Sequence, residues 1–257
     1  MTFSMELFGI KRQLASTAGL VGLVALWASG ALIVGNQALL PSPLAVGLRL
    51  VNDVTNPLFW NSVWHTFAES LLGCVFGTLF ALPLAYLIYK NAWLSAACAP
   101  LVSVSQAIPS VAIAPLLVIW IGYGLVAISV LCALMVFFPI LVNTVLGLKS
   151  LPADVIEAAR LDGAGGLTLL ALIEAPLALP ALLAGLRNGF TLSVIGAVVG
   201  EFVMGGQGLG ARLSLQSAAA DMTGLFSTVT VLCFLAALAF ASIAAIERHS
   251  QTIRALR

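Results

Sequence analysis

The sequence predicts an all-α integral membrane protein with six transmembrane helices, and two observations carry that reading. Of its 257 residues, 61% are hydrophobic and only 8% charged, with a mean hydropathy of +1.11, far outside the range of soluble domains. The apolar residues fall into runs of about 20 or more, the length that crosses roughly 30 Å of hydrocarbon. The ten-residue alternating segments of a membrane β-barrel are absent.

The elements follow in order. The run 14–34 comes after Lys11 and Arg12, as in a signal peptide, but it is long and lacks a convincing small-residue cleavage site, so it is read as a retained helix. Next, 41–61 carries Arg49 and Asp53 with Val46, Leu50 and Val54 at helical spacing, an amphipathic helix on the outer surface. Further spans are drawn at 63–89, 94–121 and 125–148. A polar interval, 150–178, separates them from the last two, 179–203 and 224–246. One transmembrane domain, 1–257, accounts for the whole chain.

Positive charge sets the orientation. With the N-terminus inside, Lys11, Arg12, Lys90, Lys149, Arg160, Arg248, Arg254 and Arg257 all lie on the cytoplasmic side. Arg49 and Arg212 remain outside, and Arg187 sits near an inner helix end, where it is expected to reach headgroups or the carboxylates of the polar interval. By the positive-inside rule both termini are cytoplasmic, and so is 150–178.

Several chemistries are excluded. Cys74, Cys98, Cys132 and Cys233 fall inside predicted spans without metal-like spacing and read as packing residues. His65 and His249 stand apart from any cysteine or carboxylate cluster, so no metal site and no catalytic set is proposed. No GxxxxGK[ST] run exists to cradle ATP phosphates. GGQGLG, 205–210, follows a membrane helix and precedes no strand; it reads as an outer re-entrant loop, not a phosphate site. Nothing points to nucleic acid.

The polar interval has the makings of a short docking helix. Pro152 suits a first turn, Asp154 and Glu157 complement the positive end of the helix dipole, and Gly163 can close it in a left-handed cap. Ala158 and Ala159 leave a face without bulk, and Glu157, Arg160 and Asp162 offer charged contacts at its rim. Glu-Ala-Ala alone is also simply good helix composition.

Candidates for a solute path are few. Glu69 lies about two turns inside the second span, where a carboxylate costs on the order of 2–3 kcal/mol unless it faces a cavity or a partner; a pathway role and a structural bond to a neighbouring helix stand level. Gln106, Ser110 and Asn143 neighbour Pro109 and Pro139, which free backbone carbonyls that only the bundle interior or water can satisfy. Glu201, near the outer end of the fifth span, belongs to an outer gate or to the binding-protein surface, or is an unremarkable residue within snorkelling distance of water. Gln207, in the glycine loop beyond it, is the second candidate for that gate.

At this point the chain resembles a known family. Glu157, Ala158, Ala159, Gly163, Ile173 and Pro176 are spaced as in the EAA signature of bacterial ABC importer permeases, with Ala175 where that pattern usually has Leu. LLPSPLAV (39–46), HTFAESLLG (65–73), IPSVAIAPLLVIWIGYG (108–124), FFPILVNTVLGLKSL (137–151) and GEFVMGGQGLG (200–210) are similar to its nitrate, sulfonate and taurine branch. The pattern Thr66, Glu69, Leu71, Leu72, Gly73 looks closer to permeases for pyrimidine precursors of thiamine or for riboflavin. A basic residue commonly stands near the position of Gly73 in sulfonate permeases.

The resemblance implies a type I importer permease with no catalytic residue of its own. Glu157, Ala158, Ala159, Arg160, Asp162 and Gly163 are then the coupling helix that docks on an ABC ATPase, the subunit that holds ATP and Mg. Six helices and one docking loop are half of an alternating-access pore, so the implied assembly has two permease copies, two ATPases and an external binding protein, periplasmic or lipid-anchored, in the lipids of the bacterial inner membrane. The alternative is a secondary transporter or channel, which would show a second half, an inverted repeat or intramembrane ion ligands.

Overall fold

In the computed structural model the described residues are 18, 19, 21–105 and 109–255; of these, 101–105, 110 and 249–255 are described by backbone alone. Gln106, Lys11, Arg12 and Arg257 lie outside the described residues, as does part of the predicted span 14–34. Everything regular among the described residues is helical.

The helices are α1 (Val21–Val34), α2 (Pro43–Thr55), α3 (Pro57–Lys90), α4 (Ala92–Ser105), α5 (Ser110–Ile121), α6 (Leu125–Lys149), α7 (Ala153–Leu161), α8 (Gly166–Leu169), α9 (Ala175–Met204), α10 (Leu209–Ala218) and α11 (Met222–Ala255). A five-residue π turn, Leu170–Glu174, joins α8 to α9. Among the described residues, four segments are long and apolar enough to cross a membrane: α3, α6, the continuous Gly166–Met204 and Met222–Arg248 of α11. Two shorter apolar helices are α1 and Val111–Ile121.

Two boundaries differ from the sequence-based expectation. The run drawn as one helix, 94–121, is carried by α4 and α5. The second starts afresh with Pro109 as its N-cap, because a proline has no N–H to give to a preceding helical turn. The polar interval is also shorter than 150–178, since helix resumes at Gly166. Pro176 has no N–H for the carbonyl four residues back, and the wider π turn sits where that ladder is interrupted.

The contacts divide the chain into two compact units, Met1–Phe59 with Leu213–Val231, and Trp60–Arg212 with Leu232–Arg257. In the first, Ser42 caps α2 by accepting the Ala45 N–H at 3.2 Å. Asp53, buried on α2, accepts from Ser227 Oγ at 2.8 Å and Arg49 Nε at 3.3 Å, while Arg49 Nη2 reaches Asp221 at 3.0 Å. Trp27 stacks on Phe226 with centroids 5.6 Å apart and donates to the Pro41 carbonyl.

The second unit is organised by α6 packed antiparallel on α9. Gly185, Gly189, Gly196 and Gly200 line one face of α9, and a methyl group on them would meet, in turn, Asn143, Val136, the Met135 sulfur and Ile128 of α6. Partner numbers fall as the glycine numbers rise, which fixes the direction. Without a hydrophobic drive between helices in lipid, this close backbone approach supplies the dispersion contact that joins them. By about 1.5 Å per residue, α3 exceeds roughly 30 Å of hydrocarbon. Trp60 and Trp64, one turn apart near its start, are exposed as at a membrane–water interface.

Candidate functional site

At one end of the second unit a polar cluster sits inside apolar helices. Helical spacing puts His65 and Glu69 on one face of α3, one turn apart. Glu69 is 3% exposed and Glu201, on α9, is 0% exposed. Thr66 Oγ1 donates to Glu201 Oε1 at 2.7 Å and accepts the Leu209 N–H at 2.8 Å. The Gly210 N–H donates to Glu201 Oε2. These two amides open α10, so Thr66 and Glu201 satisfy donors that a helix N-terminus leaves free. Deeper in, Ser193 Oγ donates to the Ser70 carbonyl at 2.6 Å, and the Cys132 thiol to the Ser193 carbonyl.

The Glu69 carboxyl lies near that of Glu201, two buried acids whose charges oppose one another; its Oε2 has no partner among the described residues. Beside it opens a cavity of about 480 Å³ lined by His65, Glu69, Tyr123, Gly124, Leu125 and 204–207. None of these lining residues is Lys or Arg. The chemistry on offer is acceptance of N–H or O–H donors, with an imidazole, a phenol and the Gln207 amide at the margin.

The predicted path residues do not all meet here. Glu69 and Gln207 line the cavity. Glu201 corrects the expectation of a residue within reach of water: it is wholly buried behind the glycine loop. The reason is Gly208, where a Cβ would stand 1.9 Å from Glu201 Oε1; only glycine lets the loop close over the carboxyl. Asn143 is elsewhere on α6, donating to the Pro139 carbonyl at 2.8 Å. Ser110 begins α5 and is described by backbone alone. Arg187, expected to reach headgroups or loop carboxylates, pairs with Glu247 at 2.9 Å and lies over the Phe240 ring. Cys74 and Cys132 are buried, but Cys233 is exposed.

The other end of the unit carries the polar interval. α7 has Pro152 as N-cap, Asp154 in its first turn and Arg160 in its last, the charge order a helix dipole favours. Ile156 is buried, whereas Glu157, Ala158, Arg160, Asp162 and Gly163 are exposed, and Ala159 is half-buried. Gly163 has φ +90° with nothing within 4 Å of a would-be side chain, and its N–H bonds to the Arg160 carbonyl at 3.0 Å. The helix thus ends in the left-handed residue that glycine supplies. Behind it, buried Glu174 takes Lys90 Nζ at 2.6 Å.

Residues 73–254 match the family of the binding-protein-dependent transport system inner membrane component. The chain belongs to this family, the permease subunits of ABC importers. The permease is 40% identical over 218 residues to the riboflavin transport system permease protein RibX of Chloroflexus aurantiacus, covering 84% of this chain and 79% of that protein. It is 34% identical over 225 residues to the formylaminopyrimidine transport permease protein ThiX of Halalkalibacterium halodurans, covering 88% and 90%. Its fold is shared with the inward-facing MetNI methionine ABC transporter: TM-score 0.69, 24% identity, covering 76% of this chain and 98% of that one.

Reading the permease sequence alone misses four groups. His65 reads as isolated, although its i, i+4 spacing from Glu69 is a signal present in the sequence. Thr66 appeared only as part of a pattern, and Tyr123 had no local cue because its place depends on the α5–α6 turn. Glu174 did have one: a lone carboxylate in the apolar run LTLLALIEAPL, which needs a partner wherever it is buried.

Proposed function

We propose that this permease is one half of the membrane channel of an ATP-driven importer and that α7 is the element through which a separate ATPase subunit, holding ATP and Mg²⁺, drives it. The single observation that carries the reading is α7 itself. It is a short exposed helix with a small-residue face at Ala158 and Ala159, a charged rim of Glu157, Arg160 and Asp162, and a glycine-closed end. Two copies of the chain enclose the path, each seating its loop on one ATPase, and an external binding protein delivers the solute. ATP-driven closure draws the loops together and alternates access from one side to the other; hydrolysis resets the pair.

The whole of 1–257 acts as one permease domain, crossing the inner membrane six times through α1, α3, α4 with α5, α6, α9 and α11. Both termini and α7 face the cytoplasm. Lys90, Lys149 and Arg160 support this orientation, since they share the α7 side of the sequence's alternation. On the outer side, Glu69 lines the solute path, and Glu201 with Gln207 holds the outer gate. Asn143 lines a deeper part of the path.

The solute is a neutral or N–H-rich ring compound of the pyrimidine or flavin type. The carboxyl-bearing cavity without Lys or Arg supports this over a nitrate- or sulfonate-like anion, as do relatives named for riboflavin and formylaminopyrimidine. The test is reconstitution with the ATPase and binding protein in liposomes. Glu157→Lys is expected to abolish uptake while the permease stays in the membrane and the ATPase still turns over; unchanged uptake would overturn the docking role.

A further inference from the structure

We propose that Lys90 and Glu174 are a positioning pair that fixes the docking loop to the end of α3, so that a displacement of α7 reaches the membrane span instead of being absorbed on the way. The proposal rests on the docking role of α7 given above.

The chain between α7 and α9 is built to bend. It contains Gly163 at φ +90° and Gly166 at φ +54°, a four-residue α8, and the π turn ending at Glu174. A π turn departs from the regular helical ladder and marks places where functional helices shift. A push on α7 would therefore be spent in this linker unless its far end were held.

Glu174 is the residue that holds it. It is the last residue of the π turn and 0% exposed. Its Oε1 accepts Lys90 Nζ at 2.6 Å and the Tyr89 hydroxyl at 3.3 Å, both from the last turn of α3. Lys90 is itself confined, with its ammonium 5.3 Å and 4.9 Å from the ring centroids of Tyr86 and Tyr89. Two segments far apart in sequence are thus tied at one point.

Stability is a poor reason for this arrangement. Glu174 Oε2 is buried without a hydrogen-bond partner among the described residues, and a carboxylate buried with an unsatisfied oxygen and paired to a half-buried lysine is often no better for the fold than well-packed apolar side chains. What the pair does offer is a short, directional, charge-assisted contact to a buried carboxylate, which sets position.

The experiment uses the full chain bound to the ATPase subunit of its transporter in lipid nanodiscs. Hydrogen exchange is compared between nucleotide-free and vanadate-trapped complexes. In the wild type, trapping is expected to change exchange by about threefold or more in both α7 and the C-terminal half of α3. In Glu174→Gln and Lys90→Met, α7 should still respond while the α3 response disappears. Lys90→Arg should keep it, and the reversal K90E/E174K should restore it.

An α3 response that persists in both single variants would overturn the pair. So would its loss in the single variants with no recovery in Lys90→Arg or the reversal, since that is the mark of a merely structural contact. Absence of any α7 response in the wild type would instead defeat the docking role, and the positioning pair with it.

Discussion

Thr66 Oγ1 lies 2.7 Å from Glu201 Oε1 across 135 residues of sequence, and the same oxygen accepts the N–H of Leu209 at 2.8 Å. One hydroxyl thereby joins α3, the end of α9 and the start of α10. Thr66→Val keeps the shape and removes both bonds, leaving a buried carboxyl oxygen and a buried amide without partners. The expected loss is about 2–4 kcal/mol, read as a lower midpoint of thermal unfolding in detergent. Thr66→Ser should recover most of it. A valine variant as stable as the wild type would show that the hydroxyl holds nothing.

Gly208 tests the same closure sterically. An alanine methyl would overlap Glu201 Oε1 and stand 2.5 Å from Thr66 Oγ1, and overpacking of this kind typically costs about 1–3 kcal/mol. The loop must lift or the carboxyl must turn. Gly208→Ala is therefore expected to slow uptake at least tenfold in reconstituted liposomes while Gly206→Ala, where the nearest atom is 3.5 Å away, stays close to wild type. Equal effects at the two positions would count against a specific closure over Glu201.

Much of this fold was legible because lipid imposes simple rules. Length and apolarity located α3, α6 and α11, and the Gly163 cap followed from its place at the end of a dipole-matched helix. The break at Pro109 and the early resumption of helix at Gly166 were not, since proline can either kink a helix or end it and only its neighbours decide. Asn143 reads as a path residue from its proximity to Pro139; that its amide bonds the Pro139 carbonyl on its own helix is a local detail that polarity alone does not reveal. The burial of Glu201 is created by a glycine loop that follows it, whereas sequence position near a span end suggests water.

Gly163 allows the docking loop to be perturbed without steric conflict. Nothing lies within 4 Å of its would-be Cβ, so the effect of Gly163→Val arises from its φ of +90°, which costs a β-branched residue about 1–3 kcal/mol. If that strain is relieved by refolding the end of α7, affinity for the ATPase subunit should fall roughly 5- to 150-fold. Co-purification and a titration by biolayer interferometry measure it. The thermal midpoint of the permease alone should hardly move, because α7 buries only Ile156. A variant that binds as tightly as wild type would remove Gly163 from the docking element.

Glu69→Gln separates a solute-path role from a structural one. The amide has the size of the carboxyl, and its NH₂ can donate toward the neighbouring Glu201 carboxyl, so the packing against Glu201 survives. What changes is the group offered to the cavity that Glu69 lines, a carboxyl whose Oε2 is without a partner among the described residues. A donor group on a ring solute would lose a carboxyl and meet an amide, a difference of about 1.5–3 kcal/mol for a charged acceptor against about 0.5–1.5 for a neutral one. Uptake of the solute delivered by the binding protein should therefore fall roughly tenfold at sub-saturating concentration, with an unfolding midpoint within a degree or two of wild type, as about 0.5 kcal/mol of stability allows. Glu69→Ala should lower both. If Glu69→Gln leaves uptake and solute preference untouched while Glu69→Ala only destabilises, Glu69 is a brace between α3 and α9, and the solute passes elsewhere.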